Sequence, residues 1–498
     1  MRRVTSRPRA LLLALVLLLV GVDAVAQVQP TRRPRTRVAR AAPADPRPDR
    51  VERSLLPAVR VAGRTYAPAT IPQRLRDLGV PAVSIAVIDG GRIAWARAYG
   101  LRDVAAGDSA TTRTLFQAAS ISKPVAATAA LQLVQEGRVS LDAPVNTYLS
   151  SWRLPDTTFT ASRPVTLRHL LTHTGGLTVS GFPGYARGAA LPTAVQVLDA
   201  QPPANTRAVR VDTTPGVRWR YSGGGITVAQ LLIADVTGKP FEVVARERVL
   251  APAGMTASTF EQPLPEARLR EAATAYRADG GVVAGGHHVY PEMAAAGLWT
   301  TPSDLARWVL ELQRSLRGGR SKLLAPRTAH EMVTRGMGGW GLGVQVAGER
   351  DSLYFMHGGS NAGFRAILVG YVATGRGFVV MTNSDAGMAI VGEIAQAIAR
   401  EHGFPGFGPR VLTPVPLDSA GREAFVGRYR GRTGVTAQLV VEDGSLWAVL
   451  PGGVRWELVP TSLDRLESPQ GPTIRVERGA DERPTALLVN DSRYERVP

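Results

Sequence analysis

Strand-like stretches stand at both ends of a long helix-rich middle in this chain, and that arrangement restricts the fold more than any other feature. Between Pro81 and Tyr99, Val83, Ile85 and Val87 alternate, Asp89-Gly90-Gly91 supplies a turn, and Ile93 and Trp95 alternate back, which is hairpin spacing. Strand signals return at 341–346, 352–356, 364–373 and 377–383, the last two joined through Thr374-Gly375-Arg376-Gly377. Between the two groups the apolar residues fall at helical spacing over 167–172, 226–236, 241–249 and 304–316. After the last strand, Ile390, Val391, Ile394 and Ile398 repeat that spacing over 388–402. The pattern predicts an α+β domain: one antiparallel sheet flanked by helices, with an inserted all-helical lobe.

Beyond about Val411 the texture changes. Short strand signals at 439–441, 446–450, 454–459, 474–476 and 487–489 are separated by Asp443-Gly444, Pro451-Gly452-Gly453 and residues 481–484. Such spacing predicts a small β-barrel or sandwich. At the other end, Arg2, Arg3, Arg7 and Arg9 precede an apolar run from Ala10 to Val20, and Ala24-Val25-Ala26 stands before Gln27. That is the layout of a signal peptide over residues 1–26, and the run is too short to span a bilayer once the leader is removed. The expected organisation is signal peptide 1–26, flexible Pro/Arg-rich linker 27–63, main domain 64–410 and β-domain 411–498, in a secreted or periplasmic protein.

The net charge of +18 suggests nucleic acid, but its location argues against that partner. Residues 1–62 hold 13 Arg and 4 acidic residues, so half the excess precedes the main domain. No interleaving of basic and aromatic residues follows. No nucleic acid is expected, and the Arg-rich stretch offers at most a weak contact with an anionic envelope surface. Cys is absent, which removes disulfides, thiol catalysis and Cys-based metal sites together. His287-His288 with Glu292 lacks a third ligand at zinc spacing, so neither metal nor cofactor is expected.

The chemistry-bearing residues begin with a rarity. Of 59 basic residues only Lys123, Lys239 and Lys322 are Lys, and Lys123 stands three after Ser120 in Ser120-Ile121-Ser122-Lys123. An Arg keeps its proton at any usable pH, whereas a desolvated Lys can release it and act as a base. Pro124 and the spacing of Val125, Ala129, Leu133 and Val134 place this pair at a helix start that Gly137 ends. There the free N–H groups favour developing negative charge. A Tyr precedes a Gly run in Tyr221-Ser222-Gly223-Gly224-Gly225, and His357-Gly358-Gly359-Ser360-Asn361 puts a His and open backbone at an edge strand. No G-x-S-x-G is present, which excludes the nucleophile elbow of the α/β-hydrolases.

Taken in order, these stretches resemble the class C β-lactamase-related serine hydrolases, a family of penicillin-binding DD-peptidases, D-aminopeptidases and family VIII esterases. The resemblance runs from about 65 to 405. It rests on Phe116 to Pro124, on Thr166 to Leu177, on Tyr221-Ser222-Gly223, on Gly254-Met255, on Ala296 to Leu305 and on His357-Gly358-Gly359. The C-terminal module resembles a lipocalin-like β-domain that often follows such hydrolases. The resemblance implies Ser120 as acyl-accepting nucleophile, Lys123 as its activator, Tyr221 as shared acid/base and His357 as the residue orienting Tyr221 or a substrate carboxyl. It further implies an oxyanion hole from the N–H groups of Ser120 and Ser360, with Gly358, Gly359 and Gly223 lining the substrate. Gly223 stands where the family often has Asn, and His357 where it often has Lys. Both departures point to small esters or D-amino-acid peptides before β-lactams. The alternative is a non-catalytic protein of the same fold that binds cell-wall peptides.

Overall fold

The computed structural model describes residues 45–498 except 433, 452, 453, 470, 490 and 491, so the expected signal peptide and residues 27–44 of the linker lie outside the described residues. The strand Ala82–Asp89 is the centre of the fold. Ala82, Ala86 and Ile88 enter one apolar core while Val83, Ile85 and Val87 enter another, so both faces of this strand are buried. Among the described residues seven strands form one sheet. Their order is Asp108–Ser109, Arg92–Asp103, Ala82–Asp89, Gly377–Thr382, Phe364–Tyr371, Tyr354–Asn361 and Gln345–Ala347, with every neighbouring pair antiparallel. The N-terminal hairpin and the C-terminal strands thus join at the middle, where Val83 pairs with Thr382 and Ile85 with Val380.

Helices close both faces. The larger core takes the apolar residues of Ser122–Gln135 and Pro302–Leu316, with Trp299 and Trp308 fully enclosed. The smaller core takes Met388–His402, Ile71–Asp77 and Arg47–Arg53. The last of these corrects the expected linker. Val51 and Leu55 are completely buried against this face, and Val59–Val61 pairs in parallel with Arg410–Leu412. The folded chain therefore begins near Pro46 rather than at 64. Val51 and Leu55, four apart, suffice here with Pro48, which is also buried, while Asp49, Arg50 and Arg53 stay exposed. Ion pairs reinforce the seam: Arg74 grips Glu393 with two nitrogens at 2.8 and 2.7 Å.

Other elements depart from expectation in informative ways. Residues 341–344 form no strand: Gly341 is pressed against Met332 O, and Gly343 turns at φ +85° against Ala127. The strand expected over 352–356 runs instead as Tyr354–Asn361, and so carries the His357-Gly358-Gly359 motif in its interior. Gln345–Ala347 pairs with no more of this strand than Tyr354–Met356, so among the described residues 357–361 have a strand partner on the Phe364–Tyr371 side alone. The lobe between the two halves is helical, through Leu167–Leu171, Gly223–Thr237 and Phe241–Ala245. It also holds two short antiparallel pairs, Phe116–Gln117 with Trp299–Thr300 and Tyr185–Ala186 with His288–Val289.

At the C-terminus the barrel-or-sandwich choice resolves to a barrel. Eight strands of the described residues close upon themselves through pairing of Gly427–Gly431 with Ser492–Val497. Phe425, Tyr429, Leu439, Leu446, Leu458, Leu466 and Leu487 fill the interior, as expected for so small a barrel. It docks on the main domain through Arg64, which bridges to Glu457 at 2.8 and 2.5 Å. Among the described residues no helix is long and apolar enough to cross a membrane.

Candidate active site

Ser120 lies in a single 3-10 turn, Ala119–Ile121, that runs directly into the Ser122–Gln135 helix. Ala119 holds φ +50°, a left-handed conformation unusual for an Ala, at the residue before Ser120. The turn is pinned from beneath. Ser122 Oγ donates to Ala119 O at 2.6 Å and accepts from Leu298 N–H at 3.0 Å, while Ala118 N–H donates to Leu298 O. One turn on, the Lys123 Nζ reaches back to Ser120 Oγ at 2.9 Å and donates to Ala295 O at 2.7 Å. Lys123 is 2% exposed, and no carboxylate lies within ion-pairing distance among the described residues. Its Nζ sits 5.0 Å from the centre of the Tyr221 ring.

Tyr221 precedes the helix Gly223–Thr237, which Ser222 caps by accepting from Gly225 N–H at 2.9 Å. The three glycines are not a flexible run. They form the buried first turn, and a β-carbon on Gly224 would meet Val209 at 2.7 Å and Thr178 O at 3.0 Å. Around Tyr221 the rings form a cluster that no sequence pattern announced. His173 stacks at 4.3 Å between centroids, Trp340 at 5.7 Å and Trp219 at 6.5 Å, with His357 at 6.3 Å.

The two histidines differ in tautomer. His173 Nδ1 accepts from Ser222 N–H at 3.2 Å, which leaves its proton on Nε2. His357 Nδ1 lies 2.6 Å from Gly358 O and must donate, leaving Nε2 as a bare acceptor. Both Nε2 atoms are buried without a hydrogen-bond partner, as are the indole nitrogens of Trp219 and Trp340. Burial, reinforced by the charge of Lys123, pushes His357 down to about 3 and His173 well below its usual range. Both imidazoles are neutral at physiological pH, so neither adds a positive charge to this cluster.

The motif strand crosses close above the Ser120 turn. His357, Gly359 and Asn361 face inward, while Gly358 and Ser360 are exposed. A β-carbon on Gly359 would stand 2.4 Å from Ala118 O, so only glycine permits this approach. Asn361 Nδ2 ties the strand end to Gln117 Oε1 at 2.7 Å and to Ala296 O at 3.1 Å. The fold therefore brings Ser120, Lys123, Tyr221 and His357 into one neighbourhood. It adds His173, Trp340, Gln117 and Ala295. His173 shares its motif with His169, whose Nδ1 accepts the Thr166 N–H as a helix cap. The left-handed backbone of His173, at φ +57°, and its full burial set the two apart, and sequence displays neither.

Behind the site lies Glu292, fully buried, with neither carboxylate oxygen hydrogen-bonded. It precedes the turn Met293–Ala296 that presents Ala295 O to Lys123. Burial raises its carboxyl to about 7. Because this value lies above that of the unfolded chain, the associated stability is complete below about pH 4.5 and is lost as pH rises through 7. Glu292→Gln is expected to raise stability on the order of 1–3 kcal/mol at pH 8 and little at pH 4.5. Thermal melts at the two pH values check this; an equal gain at both would refute it. Burial of neutral His357 and His287 acts oppositely, with stability lost as pH falls from 6.5 towards 3 or 4. His287 packs edge-on against Trp299, and His288 Nδ1 bonds to Pro183 O. Among the described residues no group of three His, Asp or Glu is placed to hold a metal ion.

A family model described as Beta-lactamase matches residues 67–402. Esterase EstB of Burkholderia gladioli is 33% identical over 207 residues, 40% of this chain and 52% of the esterase, so the chain spans about half the length of that relative. The putative penicillin-binding protein PbpX of Bacillus subtilis is 25% identical over 66% of this chain and 76% of its own. Among solved structures, the octameric penicillin-binding protein homologue from Pyrococcus abyssi superposes with a TM-score of 0.58 at 22% identity, covering 85% of this chain and 97% of that one. The D-amino acid amidase from Ochrobactrum anthropi SV3 gives 0.53 at 24% identity, over 66% and 96%. These last two share the fold.

Proposed function

The chain belongs to the Beta-lactamase family, and from that premise we propose that it is an exported serine hydrolase that cleaves small esters or amides through an acyl-enzyme on Ser120. The observation that carries this reading is the 2.9 Å contact between Lys123 Nζ and Ser120 Oγ, held in place by Ala295 O. As an amine, Lys123 keeps one N–H for Ala295 O and offers its lone pair to the Ser120 proton. Ser120 Oγ then attacks the carbonyl carbon, and the oxyanion forms against the N–H groups of Ser120 and Ser360. The Tyr221 hydroxyl, which bonds to no other group among the described residues, passes a proton to the leaving oxygen or nitrogen. Water attacks the acyl-enzyme by the reverse route, restoring Ser120.

Neutral His357 narrows the substrate. A cation at that position would hold a carboxylate on the leaving side; an uncharged imidazole with a bare Nε2 offers no such attraction. Esters and amides without that carboxylate are favoured over peptides ending in one. Treatment with a fluorophosphonate probe tests the reading. Ser120 is expected to carry the label in a digested wild-type sample, and Ser120→Ala is expected to carry none. Unlabelled wild-type protein would leave the alternative of a non-catalytic cell-wall peptide binder.

A further inference from the structure

Resting on that reading, we propose that Phe182 fills the space a side chain at position 223 would occupy, and that its ring selects substrates with an apolar acyl group. The two positions are in contact. A β-carbon on Gly223 would stand 3.0 Å from Phe182 Cε2, 3.5 Å from Cδ2 and 3.1 Å from Ser180 O. No polar side chain enters that space while the ring is there. Gly223 lies two residues after Tyr221, whose ring covers the Lys123 Nζ, so position 223 adjoins the segment that carries the acid/base.

The ring is held by its backbone at both ends. On one side Gly223 N–H donates to Ser180 O at 3.1 Å and Gly224 N–H to Val179 O at 3.0 Å. On the other, Pro183 O accepts from His288 Nδ1 at 2.8 Å, and Gly184 O accepts from Asn205 Nδ2 at 2.9 Å. Gly184 turns at φ +74° where a β-carbon would strike the Tyr290 ring at 2.6 Å. The Tyr290 hydroxyl in turn accepts from Ala362 N–H, next to the end of the motif strand. Residues 180–184 are thus a strap bonded to the start of the Gly223–Thr237 helix and to the Tyr290 hydroxyl, which also holds Ala362 just beyond the motif strand. Phe182 is half-buried on that strap, and packs at the edge of the larger core. The polar recognition that position 223 could give to an amide beside the scissile carbonyl is replaced by an apolar surface, which favours alkyl chains and leaves such an amide unpaired.

Two measurements test this. In the first, wild type is expected to hydrolyse p-nitrophenyl hexanoate at least about 10-fold better in kcat/KM than the p-nitrophenyl ester of N-acetylglycine. Phe182→Ala should lose most of that ratio through KM, and Phe182→Ala with Gly223→Asn should reverse it. A ratio near one in wild type, or one unmoved by Phe182→Ala, overturns the proposal. Absence of any Ser120-dependent turnover overturns the hydrolase reading itself, and the second measurement then still addresses the ring. Gly223→Ala should lower Tm by about 3 °C in wild type and by clearly less in the Phe182→Ala background. Equal losses in both backgrounds would mean that the two positions do not compete for space, and would overturn the proposal independently of activity.

Discussion

Lys123→Met is expected to lower kcat/KM for esters by a factor on the order of 10² or more while the protein remains folded. The side chain is buried, and its three surroundings are Ser120 Oγ, Ala295 O and the face of Tyr221. Met fills the same volume with an apolar, unbranched chain, so packing survives while the proton acceptor is lost. Lys123→Arg separates charge from proton transfer. Its guanidinium stays protonated and is too broad for the slot between Ser120 and Ala295, so it should be as inactive as Met. Rates of ester turnover and of fluorophosphonate labelling measure both variants. Recovery of a tenth or more of wild-type turnover in the Arg variant would show that positive charge suffices, and would remove Lys123 from the role of base.

Gly359→Ala is expected to have the next largest effect, a fall in kcat/KM on the order of 10–10³ together with a loss of about 1–3 kcal/mol in stability. The added carbon would meet Ala118 O at 2.4 Å, closer than any relaxed contact, with the Ala366 β-carbon at 3.3 Å as well. The strand must therefore move away from the Ser120 turn. Because one proposed oxyanion donor sits on each segment, the movement separates them, and donors of this kind act only at hydrogen-bond distance. Gly358→Ala provides the comparison, since its β-carbon would have nothing nearer than Ala366 O at 4.0 Å. Its melting temperature should stay within about 2 °C of wild type. Equal destabilisation by the two substitutions would refute the close-approach argument.

What the sequence displayed and what it concealed follow from one distinction. Elements whose side chains carry a period were legible: the Ala82–Asp89 and Arg92–Asp103 hairpin, and the helix Met388–His402 with its four apolar positions. The barrel strands Gly427–Gly431 and Ser492–Val497 were not, because Arg and Glu occupy their outward positions and little apolar alternation is left. Their strand character comes from pairing with each other to close the barrel. The helix Arg47–Arg53 escaped notice for the same reason: its burial depends on a helix some 350 residues away. At the site, contiguous motifs advertised Ser120, Lys123, Tyr221 and His357. Phe182, Trp219 and Trp340 come from separate loops, and His173, inside the Thr166 to Leu177 stretch, carried no assigned role. Their association exists only once the lobe has folded onto the sheet.

The pairing of Val83 with Thr382 at the centre of the sheet also has a consequence for how the protein is made. The two strands are roughly 300 residues apart, and at ordinary elongation rates the second leaves the ribosome tens of seconds after the first. Until then the hairpin has an unpaired edge, and the strands bearing and flanking Gly359 are not joined to it through Gly377–Thr382. A nascent chain cut short between residues 221 and 382 would carry Ser120, Lys123 and Tyr221 and yet lack the sheet that aligns them. Its side-chain chemistry is encoded early, but competence arrives only when synthesis is nearly finished.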